Sequence, residues 1–180
     1  MSLIYLLSSL PMLSFDAAPS VAPETFMAAC REQISPAQAD TVEALLRGKP
    51  SSHPFAVAWQ NLEVLLRNAI ARKRAQRLAQ KDPERWTRPT REYNLMLDTL
   101  VANALQEPNP LAREKALDRL RWLIVEDLQG YDTLGFNALL AYALKLSIAT
   151  RWTRFDADRG RAAFDAAAQI PIKLSTHPDR

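Results

Sequence analysis

The sequence is poor in the residues that most often mark metal-binding and disulfide-rich proteins. Its 180 residues include one cysteine, two histidines and four glycines. With Cys30 as the only cysteine, no intrachain disulfide can form, which is consistent with a reducing compartment. The only Cys/His ligands are Cys30, His53 and His177, so the paired spacing of a zinc site is missing. We therefore expect no bound metal and no other cofactor.

Phosphate-binding loops and the common catalytic motifs are also missing. The stretch RGKPSS lacks the glycine frame of a nucleotide-binding loop, and no HExxH or GxSxG sequence occurs. Asp16, Glu63 and Asp98 are the acids that could act as catalytic groups, but nothing in the sequence pairs them. His53 stands between a serine and a proline, which favours a turn residue over a catalytic base. The sequence therefore predicts a protein without enzymatic activity.

The sequence is rich, in contrast, in apolar segments with helical spacing. Hydrophobic residues make up 48% of the chain, which is enough to form a core. Twelve prolines separate these segments, and several stand where a helix would begin. The pattern predicts an all-α fold of six or seven helices. Because neither an internal repeat nor a clear linker is evident, residues 1–180 are expected to form one domain, with a frayed tail over 171–180.

The opening segment, MSLIYLLSSLPMLSFD, is too short to span a membrane. A secretory signal is an alternative interpretation, because the run is apolar and SVA at 20–22 resembles a cleavage site. Against a signal, no basic residue precedes Arg31, and Pro11 interrupts the apolar run. We predict an extended start over residues 1–16, with a buried strand at Leu3–Leu7 and Tyr5 packed on later helices.

The most distinctive charged stretch is RNAIARKRAQRLAQK, at the end of a long helix predicted from about Pro54 to Gln80. An apolar stripe runs along the first part of this helix, formed by Phe55, Trp59, Leu62, Leu66, Ala69 and Ile70. The same stripe then continues into Lys73 and Arg77. The face that is buried at the start of the helix therefore becomes basic at its end.

This basic end has two interpretations. It is either a solvated helix end, whose cations complement the helix dipole, or a surface that binds an acidic partner. In the second case Arg67, Lys73, Arg74 and Arg77 are the candidate binding residues. The partner could be a protein or a nucleic acid. Against a nucleic acid, no aromatic platform is interleaved with the cations and the sequence contains no recognisable recognition motif.

A second candidate region is TLGFNALLAYALKLSIATRWTRFD, which is apolar almost all round and so predicts a central helix. Lys145 stands nearly alone within it, and Arg151 ends its apolar run. Lys145 either extends to the surface or to an acid, or marks a helix face at a protein interface. We include Lys145 and Arg151 among the candidate partner-binding residues.

The segments YLLSSLPMLSFD and LLAYALKLSIATRWTRFDADRGRAAF resemble an uncharacterised family encoded in bacterial V-type (A-type-like) ATP synthase operons. That family combines a tyrosine-containing start and an A/S-x-LP turn with a late Y-x-x-KL-x-x-x-x-RW helix and an acidic-glycine segment. The matching residues are Tyr5, Ser9, Leu10, Pro11, Tyr142, Lys145, Leu146, Arg151, Trp152 and Gly160.

The resemblance implies a non-catalytic accessory or coupling subunit that binds stalk or ring subunits of the ATP synthase. Such a protein is cytoplasmic and reaches the inner membrane only through the complex. Its role would be similar to that of the helical funnel, the component that couples the central stalk to the membrane ring. An ordinary helical funnel is built from repeated helical units, and this sequence shows none. The alternative is a helical binding module with an acidic protein or nucleic-acid partner outside any ATP synthase.

Overall fold

The structure, a computed structural model, describes residues 3–79, 82–90, 94–153 and 157–168, and all the regular secondary structure within them is helical. Within these ranges there are eight α-helices, one 3₁₀ helix and no β-strand. The α-helices are α1 (Leu3–Ser9), α2 (Pro23–Gln33), α3 (Pro36–Leu46), α4 (Pro54–Arg77), α5 (Leu95–Ala104), α6 (Pro110–Gln129), α7 (Phe136–Thr153) and α8 (Ala157–Ala168). The 3₁₀ helix is Pro83–Trp86. The all-α prediction is confirmed.

Several helices begin where proline and cap residues indicate. Helices α2, α3, α4 and α6 all begin at a proline. Proline has no backbone N–H, and none is needed at the first position of a helix, because an N–H there has no acceptor within the helix. Ser35 and Gln38 form a capping box at the start of α3. Asn109 caps α6 with its side-chain oxygen. His53 caps α4, because its Nδ1 accepts a hydrogen bond from the Phe55 N–H at 3.3 Å.

The opening segment is folded differently from its prediction. Leu3–Ser9 is an α-helix rather than a strand, and residues 10–22 follow without regular structure. A short apolar run fits either a helix or a strand, but the described residues contain no strand with which it could pair. Leu6 is buried as predicted for this segment, whereas Tyr5 is 63% exposed and does not pack on the later helices.

Helix α7 is the central helix that its sequence predicts. It contacts α1, α2, α3, α4 and α6. Together these helices form the first hydrophobic cluster, whose fully buried members include Phe26, Cys30, Val42, Ala56, Val125, Leu139, Leu140, Ala141, Ala143 and Leu146. The cluster explains why α7 is apolar nearly all round, since neighbours cover it on several sides.

A second hydrophobic cluster lies between α4, α5 and α6. Its buried members are Leu65, Leu66, Ala69, Ile70, Leu97, Val101, Ala104, Leu105, Leu117 and Leu120. Helix α4 contributes its first turns to the first cluster and its middle to the second, and α6 also contributes to both. These two long helices therefore connect the two clusters.

Three predictions fall partly outside the described residues. The apolar spacing after Pro89 predicts a helix from about Thr90 to Gln106 with Tyr93 among its apolar positions. This helix is observed as α5 from Leu95, and Tyr93 lies outside the described ranges.

The sequence also predicts Asp156 as the cap of a last helix, DADRGRAAFDAAAQI. Asp156 and the tail over 171–180 lie outside the described ranges. Among the described helices, none combines the length and hydrophobicity needed to cross a membrane.

Candidate partner-binding site

A surface groove of about 560 Å³ lies between the second half of α4, the 3₁₀ helix and α6. We call it the α4–α6 groove. Its lining residues are Arg67, Ile70, Ala71, Arg74, Ala75, Leu78, Trp86, Glu114, Leu117 and Arg121. The set divides into an apolar floor and a charged rim, so the groove suits a partner that is itself both apolar and charged.

The floor of the groove is fixed by the hydrophobic core, whereas its end is exposed. Ile70 and Leu117 belong to the second hydrophobic cluster and are buried. Leu78 and Trp86 are 71% and 60% exposed. Tryptophan and arginine are the residue types that most often dominate binding energy in protein interfaces, and Trp86 and the rim arginines supply both here.

The rim belongs to a network of ion pairs that links α4, α6 and α7. Glu63 on α4 accepts from Arg67 Nε at 2.8 Å and from Arg121 Nε at 3.0 Å. Arg121 also lies 3.0 Å from an oxygen of Asp118, one turn earlier on α6. The Glu63–Arg121 pair is largely sheltered, with side chains 14% and 16% exposed. It therefore resists screening by salt better than a surface pair does.

The network continues through α7 and returns to the groove. Arg151 Nη1 lies 2.9 Å from Asp118 Oδ2, and Arg151 Nη2 lies 3.7 Å from Glu114 Oε2. Glu114 in turn accepts from Arg74 Nη2 at 2.9 Å on the rim of the groove. Charges of alternating sign thus hold the rim cation Arg74 in a defined position relative to the core.

Asp118 is the buried centre of this network, with a side chain only 2% exposed. Burial raises the pKa of its carboxyl group, and the guanidinium groups of Arg121 and Arg151 act in the opposite direction. A buried carboxylate is costly unless it is paired and hydrogen-bonded. The two arginines supply that pairing, and so fix α6 against α7 beneath the groove.

The structure brings together three of the six predicted partner-binding residues. Arg67 and Arg74 line the groove, each with a side chain 55% exposed, and Arg151 joins them through Glu114. Arg77 instead donates to the carbonyl oxygen of Leu105 at 3.4 Å, at the end of α5.

Lys73 and Lys145 lie in other surroundings. Lys73 lines a separate pocket beside α4. Lys145 pairs with Glu126 at 3.2 Å and lies 5.4 Å from the ring centroid of Trp122. Of the two interpretations of Lys145, the structure supports the lysine that reaches an acid.

The three acids considered as catalytic groups are all engaged in ion pairs. Asp16 lies 2.7 Å from Arg119 and 3.0 Å from Lys115. Asp98 lies 2.9 Å from Arg72, and Glu63 belongs to the network above. In the part of the chain that the structure describes, no cluster of His, Cys, Asp or Glu side chains is placed to hold a metal ion.

Sequence reasoning missed several residues of the groove. Leu78 and Trp86 do not continue any helical stripe, because α4 ends at Arg77 and Trp86 lies in a separate 3₁₀ helix. Arg121 and Glu114 lie on α6, and only the packing of α6 against α4 brings them to the rim. The neighbouring Arg85 and Trp86 are a local signal that could have marked this end of the groove, and in the structure the guanidinium lies 5.8 Å from the ring centroid.

Comparison with known proteins places the chain in a family. Residues 75–168, more than half of the chain, match the family described as "Protein of unknown function (DUF2764)". The chain belongs to this family. The match includes α5 to α8 and the late segment from Tyr142 to Gly160, but not α1 to α3. No curated protein and no solved structure matches the chain significantly.

Proposed function

We propose that this protein is a non-catalytic accessory subunit of a bacterial V-type ATP synthase, binding stalk or ring subunits through the α4–α6 groove. The observation that carries the proposal is the groove itself. It combines the exposed Leu78 and Trp86 with the rim cations Arg67 and Arg74. The ATP synthase as the partner rests on the resemblance of the two end segments. A position between stalk and ring, similar to that of the helical funnel, is its most specific form.

The chemistry of the groove defines the expected partner surface. The apolar floor would take apolar side chains of the partner, and Arg67 and Arg74 would face acidic groups on either side of them. The rim arginines are half exposed, so their contribution to binding should weaken as salt screens the charges. The apolar contact should persist, because hydrophobic burial does not depend on ion pairing.

The test is an affinity pull-down of the tagged full-length protein from its own membranes at low and high salt, with mass spectrometry of the proteins recovered. We expect catalytic, stalk or ring subunits of the ATP synthase at low salt and less of them at high salt. Recovery of both stalk and ring subunits would support the position of the helical funnel. Absence of ATP synthase subunits at both salt concentrations would overturn the proposal.

A pair of variants assigns the contact to the groove. Trp86→Ala with Leu78→Ser removes the exposed apolar surface of the groove, and Leu123→Ser removes a comparable exposed leucine that does not line it. We expect the double variant to lose the ATP synthase subunits and the Leu123 variant to retain them. Equal recovery with both would place the contact elsewhere. Recovery of an acidic protein outside the ATP synthase would favour the alternative, a helical binding module.

A further inference from the structure

A second pocket, of about 550 Å³, lies beside α4 and differs in chemistry from the groove. One face of α4 lines it with Asn68, Arg72, Lys73 and Gln76. The segment 84–90 and α5 line the other side. Where the α4–α6 groove has an apolar floor, this pocket is lined mainly by charged and amide side chains, so its ligand must be polar. We call it the polar pocket.

The charges in the polar pocket are unbalanced. Arg72 forms ion pairs with both of the acids that line the described part of the pocket, at 2.9 Å from Asp98 and 4.0 Å from Glu84. Lys73 and the Arg88 side chain have no ion pair within the described residues. Among the described residues that line the pocket there are thus three cations and two carboxylates. The excess positive charge lies at Lys73 and Arg88.

The wall that carries Arg88 is fixed in place by a buried amide. Asn68 is only 2% exposed, and its Nδ2 donates to the Arg88 carbonyl at 2.9 Å while its Oδ1 accepts from the Arg88 N–H at 2.8 Å. Both hydrogen bonds offset the cost of burying the amide. The backbone of Arg88 is therefore held against α4, close to the turn that carries Lys73. Because the backbone of Arg88 is already fixed, only its side chain has to be ordered when it binds an anion.

We propose that the polar pocket binds a small phosphorylated molecule, with its phosphate group between Lys73 and Arg88. Guanidinium and ammonium groups form strong charge-assisted hydrogen bonds to phosphate oxygens. The Gln76 amide offers a further donor on the same helix face. The pocket is larger than an inorganic phosphate ion needs, which leaves room for a polar organic group. This site is independent of the proposed ATP synthase partner and of the α4–α6 groove.

The test is a titration of the isotope-labelled full-length protein with inorganic phosphate, followed by two-dimensional NMR and compared with potassium chloride at equal ionic strength. We expect saturable shifts of the backbone amides near Asn68, Lys73 and Arg88 with phosphate only. Glycerol phosphate, as a simple ester, should bind at least as tightly. Shifts that are the same in chloride, or weaker binding of the ester, would overturn the proposal.

Two double variants separate this site from general surface charge. Lys73→Gln with Arg88→Gln should weaken phosphate binding about tenfold or more. Arg47→Gln with Lys49→Gln removes the same charge from the exposed end of α3 and should leave it unchanged. Equal effects of the two pairs would overturn the proposal. So would a single-stranded oligonucleotide that binds through Lys73 and Arg88 while inorganic phosphate does not. Urea unfolding of each variant shows whether the fold is intact.

Discussion

The hydroxyl group of Tyr142 donates a hydrogen bond to the carbonyl oxygen of Pro11 at 3.0 Å, across 131 residues of sequence. This bond fastens the segment after α1 to the central helix α7. Phe15, four residues further on, is buried in edge-to-face contact with Trp122 of α6, with ring centroids 5.8 Å apart. The guanidinium of Arg119 lies 4.5 Å from the ring centroid of Phe15. The opening segment is thus an integral part of the packed fold.

The first prediction concerns this attachment. Phe15→Ala should lower the free energy of unfolding by about 3 kcal/mol or more, because it leaves a cavity against Trp122 and removes an aromatic contact. Met12→Ala, in the same segment, is the control, since Met12 is 97% exposed and its removal should cost less than about 0.5 kcal/mol. Urea unfolding followed by circular dichroism measures both. Equal losses would show that the segment does not pack as described.

The second prediction concerns the buried ion network. Asp118→Asn should lower the free energy of unfolding by about 1–3 kcal/mol, because the sheltered Arg121 and the half-exposed Arg151 each lose one charged hydrogen-bond partner while they keep Glu63 and Glu114. Glu43→Gln is the matched control, because Glu43 pairs with Arg31 and Arg47, whose side chains are 59% and 61% exposed. That change should cost less than about 1 kcal/mol. A loss below about 1 kcal/mol for Asp118→Asn would contradict the structural role assigned to the network.

The third prediction uses two glycines in different backbone conformations. Gly130 ends α6 with φ 58° and ψ −138°, a region that residues with a Cβ rarely adopt. Gly130→Ala should therefore cost about 1–3 kcal/mol in thermal or urea unfolding.

Gly160 provides the opposite case. It lies inside α8, and a Cβ added there would meet no atom within 4 Å. Gly160→Ala should increase the helix content of α8, since alanine is favoured over glycine in a helix by up to about 1 kcal/mol. Limited proteolysis after α7 reports the change in α8. If Gly160→Ala destabilised the protein as much as Gly130→Ala, the backbone explanation for Gly130 would be wrong.

The fourth prediction is a loss of stability at alkaline pH. Burial raises the pKa of the Cys30 thiol to about 11, above its ordinary value of 9.0. Below pH 9 the thiol is protonated in both the folded and unfolded states, so its contribution to stability is fully present. Between about pH 9 and 11 only the unfolded state releases the proton, which favours unfolding by about 1.4 kcal/mol per pH unit.

Urea midpoints measured across this range check the prediction. Burial also raises the pKa of Tyr142 to about 12, so this phenol adds to the loss at the upper end of the range. Cys30→Ala should flatten the decline that begins near pH 9, and Tyr142→Phe the part that begins near pH 10. A stability that stayed constant through this range in the wild type would contradict the burial of both groups.

The sequence predicted local features well and long-range ones poorly. Ser35 and Asn109 each stand directly before a proline, a sequence signal that predicts the starts of α3 and α6, and the structure has both as caps. These starts could be located because each cap acts through the backbone of its own helix turn. The strand predicted at Leu3–Leu7 was wrong, because a short apolar run does not distinguish a strand from a helix. The partners of Arg74 and Arg151 could not be predicted. Their shared acid, Glu114, lies on another helix, and only the packing of α4, α6 and α7 brings the three together.

Helices α4 and α6 each contribute side chains to the first and second hydrophobic clusters, so a displacement of either helix is felt in both clusters. A partner that displaces α4 or α6 at the α4–α6 groove would therefore also displace their contacts with α7, around which α1, α2 and α3 pack. Mechanical stress at the second hydrophobic cluster is in this way shared with the first, and the two long helices are the elements that transmit it.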